Sequence, residues 1–321
     1  MGRKKRTTEG KICQGTVIRS VGSSSRVETE AGKQYDCIVK GKFRIQNLMT
    51  TNPVAVGDEV RFQVPEEGEL GVIREILPRR NYMLRRAISQ TRKAHILCAN
   101  IDQAILLFTI DQPTTSTGFA NRFLLIAEAY HIPIQFVINK IDLLQTPEQK
   151  ARLQEIEAIY SQVGWPVTSL CALDPNYKEA VWELLVGKRS FIGGHSGSGK
   201  STLINLVDPN LALRTSELST SSNKGRHTTT YAEMHPLAAG GAIIDSPGIK
   251  EFGLIGFERE EISHFFPEMR RRLQDCRFHN CLHRNEPNCA IKAALETGEI
   301  HPSRYDSYLR MLEEVEAESQ Y

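Results

Sequence analysis

No apolar run in this 321-residue chain approaches the roughly 20 residues needed to span a bilayer. The basic start, Arg3 to Arg6, has no apolar stretch behind it, so no secretory signal is expected. A strong charge of one sign is also missing. Forty Lys and Arg against 38 Asp and Glu leave a net charge of +2, too small in itself to require a polyanionic partner. The seven cysteines make an odd set, and three of them share one short segment with a histidine. That grouping favours metal binding over disulfides. A cytoplasmic chain without a membrane partner is expected.

What remains is ordinary globular composition, 40% apolar and 24% charged, at a length that allows two or three domains. The basic residues cluster at the start, at Arg79, Arg80, Arg85 and Arg86, and at Arg270 to Arg272. Such patches can hold phosphate backbones, although any one of them reads equally as a solvated face.

Residues 1–78 carry short strand patterns at Lys11 to Val21, Ser25 to Thr29, Gln34 to Val39, Glu59 to Val64 and Gly71 to Ile76. Gly22, Gly32, Gly57 and Gly68 punctuate them. This suits a small OB-like β-barrel that binds RNA; a barrel of the SH3 type is the alternative. Pro78-Arg79-Arg80-Asn81 reads as a linker. Over 79–256, buried-strand runs at Ala104 to Ile110, Ile134 to Ile138, Ser190 to Ile192 and Ala242 to Ile244 alternate with helices. The helices are expected at Arg122 to Tyr130, Pro147 to Val163 and from Thr202. Alternation of this kind predicts an α/β domain with a mostly parallel sheet. Segment 210–227 reads as a loop. Residues 257–321 read as helices around a cysteine-rich turn.

Gly194-His195-Ser196-Gly197-Ser198-Gly199-Lys200-Ser201, followed by Thr202, matches the phosphate-loop pattern. Its glycines let backbone N–H groups turn toward phosphates, and the next helix adds its positive N-terminus. Lys200 would reach the β- and γ-phosphates and Ser201 would bind Mg²⁺. Asn139-Lys140-Ile141-Asp142 reads as a guanine motif. The Asp142 carboxylate can accept from guanine N1–H and the exocyclic amine, a pair that adenine lacks. Ser169 is expected in the loop that contacts guanine O6. Asp245-Ser246-Pro247-Gly248 would hold Mg²⁺ through Asp245 and sense the γ-phosphate through Gly248. Thr228 and Thr229 lie in the switch run that would complete the magnesium shell, with Thr229 as the direct ligand. The guanine motif precedes the phosphate loop, the reverse of the ordinary order, so the domain is circularly permuted.

The glutamine that usually orients water after Asp-x-x-Gly is absent, and Ile249 stands there. His227, beside the switch threonines, is the candidate replacement; a surface histidine that only shapes the loop is the other reading. His195 reads as a tolerated variation. Cys276, Cys281, His283 and Cys289 offer three thiolates and an imidazole within a short span, a set that suits a closed tetrahedral zinc site. His279 is the substitute ligand.

Barrel, permuted GTPase and zinc segment in this order resemble the ribosome small-subunit-dependent GTPase A family over nearly the whole chain. The carrying segments are Val56-Gly57-Asp58, Pro78 to Asn81, Asn139 to Asp142, Gly225 to Thr230, Cys276-x4-Cys281-x-His283-x5-Cys289 and Cys289-Ala290-Ile291. Departures are His195, Ser246 and the irregular Ser169 loop. The resemblance implies a circularly permuted P-loop GTPase with an N-terminal OB-like barrel and a C-terminal helical zinc-binding domain. It implies GTP/GDP, Mg²⁺ and one Zn²⁺ per chain. It further implies a monomeric factor of late small (30S) subunit maturation that binds near the decoding region of 16S rRNA. Hydrolysis would be stimulated by the ribosome and coupled to release, with His227 as the water-positioning residue. Two rivals stay open: a phosphate-loop ATPase with a coincidental Asn-Lys-x-Asp, and an RNA-binding scaffold whose nucleotide is only structural.

Overall fold

The computed structural model describes residues 11–39, 52–65, 69–86, 94–209, 211, 232–245, 254 and 256–319. Strands β1 (Ile12–Val21), β2 (Ser24–Glu28), β3 (Gln34–Val39), β4 (Glu59–Gln63) and β5 (Gly71–Ile76) lie close to the expected positions. β1 pairs with β2 and β4, β2 with β3, and β3 with β5, which returns to β4. Every strand has two partners, so the ring closes into a barrel. The β3–β5 pair is parallel and the others are antiparallel, a Greek-key return of the OB kind. Val17, Val27, Cys37, Val60, Phe62 and Ile73 point inward and are fully buried. Each large apolar side chain among them contributes about 1.5–3 kcal/mol of burial. A bulge between Val17 and Arg19 bends β1 so that it serves both the barrel and an outer neighbour.

The segment expected as a linker is a joint. Buried Asp58 accepts from the Ala55 N–H at 2.8 Å and from Arg79 at 2.6 and 2.7 Å. Arg80 pairs with Asp102 at 2.7 Å, and Asn81 exchanges two 2.8 Å hydrogen bonds with the Ile101 backbone. Gly57 sits at φ +89°, where a Cβ would lie 2.0 Å from the Ala99 carbonyl oxygen, so this crossing requires glycine. Arginine and asparagine next to proline look like a solvated connector in sequence. Here Arg79 is used up on a buried carboxylate and Asn81 on buried backbone, while exposed Arg80 pairs with Asp102. Strands β6 (Tyr82–Arg86) and β7 (Ala94–Ala99) then form a small separate sheet that the sequence reading did not anticipate.

Next come β8 (Gln103–Thr109), α1 (Thr117–Ala129), β9 (Ile134–Asn139), α2 (Pro147–Val163), β10 (Val167–Leu170) and α3 (Lys178–Leu185). They are followed by β11 (Arg189–Gly193), α4 (Lys200–Val207), β12 (Glu233–Pro236) and β13 (Ala242–Asp245). The sheet order is β10-β9-β8-β11-β13-β12, parallel except for the last pair. All of β8 is buried, with Ala104, Leu106 and Phe108 in one core and Ile105 and Leu107 in the other. A strand covered on both faces reads as the continuous apolar run seen in the sequence. α2 begins on a Thr146–Gln149 capping box with Pro147 in its first turn and stops at left-handed Gly164. Those local signals explain why its expected bounds coincide with the observed ones. β12, too short to recognise in sequence, pairs with β1 at Arg19 and Glu233 and joins barrel and open sheet into 11 strands.

Helices α5 (Pro267–Arg270), α6 (Ala290–Glu296) and α7 (Pro302–Ser319) complete the chain. Buried Arg304 of α7 holds Glu268 at 2.6 and 3.2 Å and Asn121 of α1 at 2.7 Å. Removing one partner of such a pair leaves a buried charge, at a cost of about 3–5 kcal/mol. The pair therefore fixes how the C-terminal helices sit on α1, and Arg122–Glu314 repeats the connection further along.

Candidate nucleotide site and metal centre

In the parallel part of the sheet, β8, β9, β10, β11 and β13 all deliver their carboxyl ends to one edge, where open α/β sheets bind ligands. β11 stands between β8 and β13 and runs straight into the phosphate loop. Gly199 caps α4 at φ +99°, and a Cβ there would lie 2.2 Å from the Asn139 amide nitrogen. Gly193 faces Phe123 as closely, 2.2 Å from a virtual Cβ. These approaches bring the loop down onto β9 and α1.

Asn139, at the end of β9, joins three segments. Its side-chain nitrogen donates to the Ser198 carbonyl at 2.9 Å, and its oxygen accepts from the Ala172 N–H at 2.9 Å. Lys140 turns left-handed at φ 66° and donates to the Gln112 carbonyl. Asn139, Lys140 and Asp142 then share a cleft of about 460 Å³ with Ser196, Gly197, Gly199, Lys200, Ser201 and Thr202. Lys200 Nζ donates to the Gly194 and His195 carbonyls at 2.8 and 2.9 Å, so the cation already sits within the loop. Ser198 Oγ is buried and finds no partner among the described residues. The His195 ring is stacked on Phe119 at 4.3 Å between centroids, off the cleft wall. The chemistry on offer is two-ended: a carboxylate and backbone N–H groups for a base, and a lysine with a glycine-rich turn for phosphates. A larger cleft of about 800 Å³ lies between barrel and sheet, at the amino ends of the strands beside Arg189 and Asp102. None of its described lining residues belongs to the phosphate loop.

In the C-terminal segment the ligand atoms of Cys276, Cys281, His283 and Cys289 lie within 4.8 Å of one another. His283 Nδ1 is 3.4 Å from Cys289 Sγ and 3.7 Å from Cys276 Sγ. Burial pushes the Cys281 thiol up to about 12 and also raises Cys289. Burial lowers His283 to about 4, which keeps the imidazole in the neutral form a metal requires. Three thiols crowded against one neutral imidazole fit a soft divalent cation, and zinc suits this donor set. Glu286 braces the turn by accepting from the backbone N–H groups of Leu282, Arg284 and Asn285.

Comparison with known proteins fits this geometry. The RsgA GTPase family model matches residues 76–255, and the RsgA N-terminal domain model matches residues 14–73. The chain belongs to the RsgA GTPase family. It is 48% identical over 302 residues to the "Small ribosomal subunit biogenesis GTPase RsgA" of Christiangramia forsetii, covering 94% of this chain and 96% of that one. The protein of the same name in Bacteroides fragilis is 45% identical, covering 94% and 97%. Among solved structures, YjeQ from Thermotoga maritima matches with a TM-score of 0.75 at 34% identity, over 95% of this chain and 99% of that one. YloQ, titled a circularly permuted GTPase, matches with a TM-score of 0.72 at 28% identity, over 98% of both. Family membership makes this chain a permuted GTPase as well.

Several expected site residues fall outside the described residues: His227, Thr228, Thr229 and Gly248. Asp245 is described as the last residue of β13 by its backbone alone. One expectation needs correcting. Ser169 lies inside β10, where its hydroxyl donates to Glu157 of α2, and it does not line the cleft. The strand runs through Leu170, so the loop that reaches the cleft is Cys171-Ala172-Leu173. The Cys171 thiol is hydrogen-bonded to Asp142, and burial first, then that carboxylate, raises its pKa. The sequence Ser169-Leu170-Cys171-Ala172 obscures this, because Cys171 stands directly before Ala172 and the serine lies two residues earlier. The available signal was the Cys171-Ala172 pair itself, just past an apolar strand end.

Proposed function

We infer that this protein hydrolyses GTP to GDP and phosphate in the late maturation of the small ribosomal subunit, with turnover stimulated on the subunit and coupled to release. The observation that carries the reading is Asn139, which ties the guanine motif, the phosphate loop and the Ala172 backbone into one cleft. Asp142 accepts from guanine, and Lys140 lies along the base or ribose with its stem. Lys200 and the N–H groups of Gly197 to Ser201 hold the phosphates. Ser201 and Thr229 would hold Mg²⁺, which would supply positive charge beside the phosphates. Asp245 would hold Mg²⁺ through water, Gly248 reports the γ-phosphate, and His227 orients the attacking water in place of the absent glutamine.

Three units follow the sequence boundaries: a barrel over 1–78, a GTPase over 79–256 and a zinc-binding helical unit over 257–321. The barrel and zinc units contact the small subunit near the decoding region of 16S rRNA, and the factor works as a cytoplasmic monomer. GTP hydrolysis measured alone and with purified small subunits tests this. Stimulated turnover that vanishes in His227→Ala, with GTP binding retained, is expected. Equal affinity for ATP and GTP, or turnover that subunits leave unchanged, would overturn it.

A further inference from the structure

The zinc segment carries a tip that the nucleotide chemistry does not use. Residues Arg277, Phe278, His279 and Asn280 are all exposed, and Phe278 shows 39% of its surface to solvent. Such a share is large for an aromatic side chain on a polar turn. The Arg277 guanidinium lies 5.4 Å from the Phe278 ring centroid, so the partly exposed ring carries a cation beside it. Both ends of the turn are pinned. Cys276 and Cys281 belong to the four-residue cluster, and the Cys281 N–H donates back to the Phe278 carbonyl at 3.3 Å. Little conformational entropy remains to be lost when something docks there.

The charges around the tip point to the kind of partner. Asp275 and Glu299 face Arg272, Glu316 pairs with Arg284, and Glu286 is spent on backbone N–H groups. Among the described residues Arg277 has no ion pair, and it lies beside a partly exposed ring, a histidine and an amide. Stacking surface, positive charge and hydrogen-bonding groups that match base edges are what an unpaired nucleotide needs. A protein groove would instead present more apolar area than one ring.

We propose that Phe278 stacks on an unpaired base of single-stranded RNA while Arg277 neutralises an adjoining phosphate. The choice of RNA rests on the small-subunit reading above. The test uses the full chain with two probes: purified small ribosomal subunits, and a ten-nucleotide single-stranded RNA carrying 2-aminopurine. Phe278→Ala should weaken both complexes about 5- to 100-fold, and Phe278→Trp should restore them. Arg277→Ala should lower the dependence of binding on salt by about one phosphate contact. The melting temperature and basal GTP turnover of each variant should equal those of the wild type.

Phe278→Ala binding subunits as well as the wild type would overturn the inference and leave the ribosomal reading intact. Phe278→Leu binding as well as the wild type would assign the tip to an apolar protein contact and overturn it too. A wild type that binds and quenches the oligonucleotide through Phe278, yet ignores subunits, would support the stacking and sink the ribosomal reading.

Discussion

Asn139 donates its side-chain amide to the Ser198 carbonyl at 2.9 Å across 59 positions of sequence. The same side chain accepts from the Ala172 N–H, so one buried amide sets the spacing between the base-binding end and the phosphate-binding end of the cleft. Permutation leaves this spacing untouched, because it depends on the order of strands in the sheet and not on their order along the chain.

Asn139→Ala should therefore weaken guanine nucleotide binding at least about tenfold and lower stability. It leaves a buried carbonyl and a buried N–H without a partner, at about 1–3 kcal/mol each. Titration with a fluorescent guanosine diphosphate and a thermal melt read the two effects. Wild-type affinity in this variant would mean that the cleft is held by other contacts.

Asp142→Asn should reduce GTP affinity by about 10²-fold or more. The amide offers one donor and one acceptor where guanine N1–H and its amine need two acceptors. Competition by ATP should remain weak, since nothing in the change favours adenine. A matched loss for both nucleotides would point to misfolding of the Lys140–Gln145 turn, where Gln145 donates to the Asp142 carbonyl.

One zinc per chain is expected by metal analysis, and a strong chelator should lower the melting temperature. Cys276→Ser should do the same without chelator. Cys289 and His283 are buried beneath α6 and α7, so loss of the ion leaves their polar atoms facing each other. Metal-free protein with unchanged stability would remove the centre.

Asp58→Ala should cost about 3–5 kcal/mol, because the Arg79 guanidinium is left largely buried without its carboxylate. The double variant Asp58→Ala with Arg79→Met should recover part of that loss. Urea unfolding of both proteins measures it. Equal stability of Asp58→Ala and wild type would show that the joint between barrel and GTPase does not depend on the Arg79–Asp58 pair.

Much of this protein was fixed locally, within windows of a few residues. The alternating Val17, Val27 and Phe62 face, the apolar runs of β8 and β9, the capped ends of α2 and the glycine spacing of 194–199 each follow from backbone geometry, and each was legible in the chain. The motif order alone disclosed the permutation. Tertiary structure decided what local rules cannot rank. It selected Cys171-Ala172 over Ser169 for the cleft, because strand register depends on partners and a one-residue slip reverses every side chain. It made 78–81 a joint anchored through Arg79 and Asn81, since Asp58 and Ile101 become neighbours of that segment only after folding. It recruited the short β12 as the bridge to the barrel, and it buried Arg304 between α1 and α5, where long-range partners compensate a charge that sequence alone would assign to the surface.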